Sequence, residues 1–378
     1  MPSAVITGAG IGGLAAALAL HRGGWRVTVI EERTDTSGGA GIVLAPNGLR
    51  ALAALGIAPE DLGGAVIYPL GLRRPDGRWL QRLPAGAEPT RCLPRARLVD
   101  LLRSRLPLNT VRDGVAAIAA SSTATGATLH TSGGDMAADL VVAADGVRSA
   151  IRRQHWPAAA QTYAGYVAWR GESCGLLPAD LEPTGLEPFE TWGRGVRVGV
   201  VPMTAESLYV YVTAPVASPD DIPNQPPLER FADWHSPMPT LLAQTRLTPA
   251  PVWALRRPPR SWHRGRIVLL GDAAHAMEPN LGQGGSAALE DAVTLAVCLA
   301  GGSTEKSLTA YTAARRPRTA KLLATSRTLG RLSLWSAPPV VAVRDALIAA
   351  TPAIVTRRQF ATVSGWQPSL PPRTEEPA

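Results

Sequence analysis

A chain of 378 residues, 46% apolar and 18% charged, is long enough for two domains and a sizeable core, which excludes wholesale disorder. Its net charge of +8 comes from scattered Lys and Arg with short clusters at 255–266 and 313–321; with no basic, aromatic-interleaved stripe, these read as solvated surface that helps attract an anionic cofactor or acidic substrate, not as a nucleic-acid site. Cys92, Cys174 and Cys298 lie far apart without CxxC spacing, which excludes a disulfide framework and a thiolate metal centre.

The first predicted strand begins within a few residues of Met1, leaving no room for a basic and then apolar leader, and no apolar run approaches a membrane span. The expectation is a cytoplasmic protein without integral membrane association. That strand runs into Gly8, Gly10 and Gly13, a G-x-G-x-x-G turn followed by an alanine- and leucine-rich helix. Gly8 makes the tight turn, Gly10 lets backbone approach a pyrophosphate, and Gly13 lets helix and strand pack closely, with the helix amino terminus facing the phosphate charge. A second strand, "WRVTVIEER", ends in Glu31, Glu32 and Arg33. Glu31 lies 18 residues beyond Gly13, a spacing suited to a ribose-binding carboxylate, with Glu32 as the alternative. These residues alone do not choose between NAD and FAD.

A glycine-rich loop then returns into a helix through residues 37–56, and "RARLVDLLRSRL" gives a further helix with Leu98, Leu101, Leu102 and Leu106 at helical spacing. A β-rich stretch ends in "DLVVAADGVRSAIRR". Between about 156 and 260, period-two strands such as "VRVGVV" and "LYVYVT" alternate with proline-rich connectors, the pattern of a sheet-rich domain inserted into the nucleotide fold. The parallel-sheet pattern resumes at "RIVLLGD", and a long helical stretch is expected from about Gly285 into the 340s, interrupted near Pro317 and Pro338. The tail "PSLPPRTEEPA" reads as disordered. The six histidines never stand at i, i+4 with a nearby acid, and neither H-E-x-x-H nor G-x-S-x-G occurs, so nothing favours a metal site or a hydrolase.

Two later motifs add to the glycine turn: Asp145 and Gly146 after one apolar strand, and Gly271 and Asp272 in "RIVLLGDAAHAMEPNLGQGGSAALEDAV" after another. In this order the three motifs resemble the single-component FAD-dependent monooxygenases of the para-hydroxybenzoate hydroxylase fold, especially the salicylate-hydroxylase-like branch. The resemblance covers nearly the whole chain, including "GYVAWRG", "WGRGVRVGVVP" and "AARRPRTAKLL". It implies an α/β fold in which a Rossmann-like FAD-binding domain (1–68, 93–155 and 260–345) carries an inserted sheet-rich substrate domain (69–92 and 156–259), followed by a carboxy-terminal helical segment and tail (346–378).

At the carboxyl end of a strand, Asp272 can accept a hydrogen bond from a ribityl hydroxyl while Gly271 leaves room for the cofactor. Backbone N–H groups of Leu281, Gly282, Gln283 and Gly284 at a helix start can face the flavin N1 and C2 carbonyl, where negative charge gathers on reduction. The resemblance places Gln283 beside the isoalloxazine. It matches Arg95 to an R-x-x-L arginine that contacts flavin or phosphates, and Asp145 with Gly146 to a motif that helps hold FAD and the nicotinamide cofactor. Arg148 is the nearby charged candidate, and a helix cap is the other reading of Asp145. His275 reads as structural. Tyr209, Tyr211 and Trp192 are substrate-cavity candidates, with Trp169 similarly placed, although aromatic residues on alternating strand positions also pack as core.

The resemblance implies non-covalent FAD, NADH or NADPH as co-substrate, O2, and hydroxylation of an aromatic or electron-rich small molecule through a flavin C4a-hydroperoxide. A second G-x-G-x-x-G is absent, which argues against two-dinucleotide reductases. Epoxidation, oxidative decarboxylation and double-bond reduction stay open on such a scaffold, as does a flavin-binding sensor of low turnover.

Overall fold

In the computed structural model, which describes residues 1–35, 40–68, 70–82, 88–174, 186–301 and 304–368, the apolar strand Ser3–Thr7 takes the centre of a six-stranded sheet. It pairs in parallel with Arg26–Glu31 on one side and Leu140–Ala143 on the other. The full order is His263–Arg264, Ile267–Leu269, Leu140–Ala143, Ser3–Thr7, Arg26–Glu31 and Val111–Asp113. Only the first of these runs antiparallel. Leu140–Ala143 is buried along its whole length, as expected where helices cover both faces of a parallel sheet. Helices α1 (Ile11–Arg22), α2 (Pro46–Ala54), α3 (Arg95–Ser104) and α4 (Ala150–His155) pack around it. The small residues of α1 keep Leu14 through Leu20 buried in close contact with their neighbours.

A seven-stranded sheet is built mainly from the middle of the chain, in the order Thr248–Leu255, Gln161–Cys174, Ser207–Pro215, Arg197–Pro202, Phe189–Trp192, Gly71–Arg73 and Trp79–Gln81. The period of two sorts its side chains onto two faces. Val167, Trp169, Phe189, Val198, Val200, Val210 and Val212 form a core with Phe231 and helix α5 (Met238–Gln244). The opposite face carries Arg197 against Thr213, Gly199 against Tyr211 and Val201 against Tyr209. Trp169 therefore does not share the face of Tyr209 and Tyr211; its indole N–H donates to the Pro223 carbonyl at 3.0 Å on the core side. A small antiparallel sheet, Gly41–Leu44, Thr90–Pro94 and Ala65–Ile67, lies against the second face, with Gly41 so close that a Cβ there would come within 2.6 Å of Tyr209 Cγ.

After the short helix α6 (Asp272–His275), the chain forms α7 (Gly284–Leu299), α8 (Thr304–Ser333), α9 (Pro338–Ala350) and α10 (Ala353–Ser364). The expected break at Pro317 is absent, because α8 continues through it. An interior proline costs a helix about 3 kcal/mol, a loss offset here by the packing of Tyr311, Arg315 and Leu322 on either side. The basic cluster at 313–321 is also not all solvated surface: Arg315 is only 1% exposed and bound to two carboxylates. Cys92, Cys174 and Cys298 are free thiols. The tail from residue 369 lies outside the described residues.

Candidate functional site

Gly8 occupies positive φ (+93°) and donates its N–H to the Ile30 carbonyl at 2.7 Å, tying the first strand to the second. A Cβ on Gly13 would sit 1.9 Å from the Gly8 carbonyl oxygen, so only glycine permits this helix-to-turn contact. Gly10, the N-cap of α1, differs: a Cβ there meets nothing within 4 Å, and the outer side of the turn is open. Glu31 is buried at the end of its strand. Its carboxylate accepts from the Ala9 N–H at 2.8 Å and the Arg33 N–H at 3.0 Å. Glu32 is exposed, so the carboxylate held at the glycine turn is that of Glu31.

Arg95 opens α3 and donates its backbone N–H to the Ala40 carbonyl at 3.2 Å. Burial lowers the pKa of its guanidinium, which also feels the charges of Arg33, Glu31 and Asp272. The charges at the end of Arg26–Glu31, at the start of α3 and at the start of α6 thus lie near one another. Asp272 opens α6 below Gly271, whose N–H donates to Asp291 at 3.0 Å. Asp272 is solvent-exposed as a residue, yet the protein packed around its carboxyl raises its pKa through desolvation. A Cβ on Gly284 would lie 3.9 Å from Asp272 Oδ1, placing this acid at the start of α7.

Asp145 has the helix-capping place of its two sequence readings: Oδ2 accepts from the Ala150 N–H at 2.9 Å at the start of α4, while buried Oδ1 has no hydrogen-bond partner among the described residues. Burial raises its pKa. Arg148 is exposed. The buried arginine of this segment is Arg152, which donates to the Val147 carbonyl and to the Ala273 carbonyl at 3.1 Å, joining the Asp145 loop to the Asp272 loop.

At the start of α7, Leu281 ends a short 3-10 turn, Gly282 takes positive φ (62°) and Gln283 is the N-cap. The Gln283 side chain is turned inward, its Oε1 accepting from Asn47 Nδ2 at 2.8 Å. Asn47 also donates to Glu290 at 2.6 Å, and Arg318 pairs with Glu290 at 2.7 Å. Arg315 bridges Glu290 at 2.5 Å and Asp291 at 2.6 Å. His275 Nε2 lies 2.5 Å from Asp291, which gives that histidine the structural place its sequence context suggests. The turn is open at Gly282, where a Cβ would meet nothing within 4 Å.

The second face of the large sheet brings Trp192, Tyr209 and Tyr211 together. The two tyrosine rings lie 5.5 Å apart between centroids. Glu190, on the same face, accepts from Trp192 Nε1 at 2.6 Å and from the Tyr211 hydroxyl, and lies 3.7 Å from Arg197. Arg197 is buried, donates to Thr213 at 2.9 Å, and reaches Asn280 in the turn before α7. Tyr166 donates from its hydroxyl to Glu278 at 3.1 Å. Burial and neighbouring Glu190 push the Tyr211 phenol well above its ordinary pKa; although burial opposes it, the Glu190 charge holds Arg197 as a cation. Sequence reasoning missed Glu190, Arg197, Asn280 and Glu278, although Arg197, Glu278 and Asn280 lie inside motifs it singled out. Residue type gave no signal, since a charge in an alternating strand ordinarily faces water.

A glycine turn holding an acid at a strand end, with a second acid at a later helix start, defines a dinucleotide-binding α/β enzyme with an attached sheet that faces the cleft. The FAD binding domain family matches residues 2–326. The chain is 34% identical over 375 residues to the aurachin C monooxygenase/isomerase of Stigmatella aurantiaca, covering 91% of this chain and 93% of that protein. It is 32% identical to the 2-heptyl-3-hydroxy-4(1H)-quinolone synthase of Pseudomonas aeruginosa, covering 94% and 95%. HpxO of Klebsiella pneumoniae, solved with FAD and uric acid, superposes with a TM-score of 0.86 at 26% identity over 96% of each chain. This chain belongs to the FAD binding domain family, among the FAD-dependent monooxygenases.

Proposed function

We propose that the chain hydroxylates a flat nitrogen-containing aromatic ring bearing an apolar substituent, using FAD, NADH or NADPH, and O2. The observation that carries this is the sheet face, where Trp192, Tyr209 and Tyr211 stand around the polar pair Glu190 and Arg197. Aromatic walls fit a planar ring, and a few fixed polar groups orient it. The names of the relatives agree in kind, one denoting a 4-quinolone with a heptyl chain.

In this reading Gly8, Gly10 and Gly13 cradle the pyrophosphate and Glu31 takes the ribose. Arg95 and Asp145 flank the cofactor, Asp272 accepts from the ribityl chain above Gly271, and the amides of Leu281 to Gly284 face the flavin ring. When bound, FAD supplies hydride acceptance and oxygen activation. The chain's own part is to hold the substrate ring close, exclude water, and keep Arg197 charged beside it. That positive field stabilises an anionic ring oxygen and so enriches the ring carbon to be oxygenated. Tyr211 and Tyr166, held protonated, act as donors and not as bases.

The same reading divides the chain into an FAD-binding part (1–68, 93–155, 260–345) and a substrate part (69–92, 156–259). Sheet membership supports it except at one strand: Thr90–Pro94 pairs with Gly41–Leu44 and Ala65–Ile67, across the boundary at residue 92. The test is aerobic NADH and NADPH oxidation by the yellow purified protein with 2-alkyl-4-quinolones and with simple benzoates. Faster oxidation with hydroxylated quinolone product is expected. Equal oxidation rates with and without every ring compound, and no oxygenated product, would overturn the reading.

A further inference from the structure

Helix α9 is amphipathic with its faces exchanged. Its two charged residues point into the protein: Arg344 is 1% exposed, donates to Asp345 Oδ1 at 2.8 Å and to the Gly193 carbonyl at 3.2 Å, and sits over the Trp192 ring at 5.5 Å. Its outward face is apolar, with Val343 57% and Leu347 64% exposed beside Val340 and Ala346. Ile354 and Val355 extend this surface into the first turn of α10, and Trp335 stands exposed just before α9. A helix of a water-bathed protein turns such residues inward, so this surface suits an apolar partner.

Within this segment itself the exposed charges are of one sign. Between residues 331 and 368 the only acid is Asp345, which is buried, whereas Arg331, Arg357 and Arg358 are exposed. Arg194 is fastened to the amino-terminal end of α9 by a bond from Nε to the Ser336 carbonyl at 3.0 Å, with Arg230 beside it; Glu229, also exposed, is the neighbouring acid on that side. Apolar side chains with a flanking tryptophan and an arginine rim are the pattern of a helix that lies in a membrane interface.

We propose that α9 and the first turn of α10 dock this protein on an anionic phospholipid bilayer, with Val340, Val343, Leu347 and Ile354 in the acyl boundary and the arginines among the headgroups. The pair lies on the bilayer and does not cross it: neither helix is long enough, and the two meet at an 89° bend. A second copy of the chain is the poorer occupant, since a two-fold contact would set Arg331, Arg357 and Arg358 against the same residues. The docked helix backs onto Trp192, the ring that donates to Glu190. Resting on the substrate class proposed above, this places the substrate face next to the membrane in which an alkyl-bearing ring dissolves.

The test is co-sedimentation of the full, FAD-loaded chain with vesicles of phosphatidylcholine alone or mixed with phosphatidylglycerol. Binding to the mixed vesicles is expected, weakened about tenfold or more in their absence of anionic lipid or at high salt. V343E/L347E, both at exposed positions, should keep the flavin spectrum and the melting temperature yet abolish binding; R357Q/R358Q should remove only the preference for anionic lipid. No binding to mixed vesicles, or binding indifferent to V343E/L347E, overturns the proposal. So does a dimer in sedimentation velocity that V343E/L347E dissolves without any vesicle binding, because the occupant is then a second copy. Vesicle binding does not depend on turnover, so a failed substrate assay leaves this result standing and the reverse holds too.

Discussion

The side-chain amide of Asn47 donates to both Gln283, at 2.8 Å, and Glu290, at 2.6 Å. Through this one residue, α2 holds the first turn of α7 to the buried charges in its middle. In the function proposed above, Gln283 is therefore a positioning residue, acting through the backbone it anchors.

Gln283→Ala should retain FAD, since the glycine turn and Glu31 are far from the change, and should lose about 1 kcal/mol of stability for the missing hydrogen bond. Asn47→Ala removes two bonds and leaves Gln283 without its partner, so its loss should be larger, about 2–3 kcal/mol. Both should lower the fraction of NAD(P)H that ends as product and raise hydrogen peroxide, because the amides that face the flavin lose their fixed geometry. Product, peroxide and NAD(P)H measured together decide this; unchanged coupling in both variants would remove the α7 start from the reaction.

Gly10 and Gly13 should separate binding from folding. Gly10→Val adds atoms only to open space beside an extended N-cap, so the protein should fold and melt normally yet purify colourless, its pyrophosphate path blocked. Gly13→Ala drives a methyl group against the Gly8 carbonyl oxygen, and it should cost more stability than the glycine-to-alanine gain in helix propensity of about 1 kcal/mol returns. Absorbance of bound flavin and a circular-dichroism melt test the pair. A yellow Gly10→Val protein would contradict the assignment of the turn.

Much of the nucleotide fold was legible because glycine spacing, apolar strands and an acid at a strand end are local signals with fixed geometry. Glu31 was preferred to Glu32 on its spacing from Gly13, and the structure buries Glu31 against the glycine turn while leaving Glu32 exposed. The buried network was not legible. Arg315 and Arg318 read as a basic cluster in sequence, yet one face of α8 sets both against Glu290, contributed by α7. Such pairing is tertiary, and no spacing within either helix announces it. Pro317 misled for a related reason, since packing along α8 outweighs a local helix breaker. On the second face of the large sheet, Tyr209 and Tyr211 were placed by alternation, but Glu190 meets Tyr211 and Trp192 only through the register of three strands.

Asp291 should set part of the acid sensitivity. Burial alone would raise its pKa, but the charges of His275 and Arg315 and the hydrogen bonds they make win and hold it below the ordinary carboxylate value. Its stabilising contribution is therefore complete above the unfolded-state value and is lost as pH falls through the depressed one. Asp291→Asn should destabilise the protein by about 3–5 kcal/mol at neutral pH, since Arg315 loses a buried charge partner. Melting curves from about pH 7 to about pH 3 should show the gap between wild type and variant narrowing in acid. A gap that widens there would reverse the sign and exclude the ion-paired role.

Glu190 accepts from Trp192 and Tyr211 and lies near Arg197, so on the proposed substrate face its charge and its geometry can be tested apart. Glu190→Gln keeps an acceptor oxygen but removes the charge opposite Arg197; Trp192→Phe keeps a ring but removes the indole donor. The first change leaves Arg197 a buried cation held by Thr213 and Asn280, free to pair with an anionic ring oxygen on the substrate. Glu190→Gln should then bind a substrate analogue carrying an ionised ring hydroxyl more tightly than wild type does, by about tenfold for each 1.4 kcal/mol of regained charge pairing, while kcat falls as the ring loses its fixed orientation. Trp192→Phe should raise KM with a smaller effect on kcat, because it loosens a wall and leaves the Arg197 charge in place. Binding of the analogue followed by flavin absorbance, together with steady-state kinetics, separates the two outcomes. Equal analogue affinity in wild type and Glu190→Gln, with kcat unchanged, would show that the ring oxygen does not meet Arg197 and would move the substrate off this face.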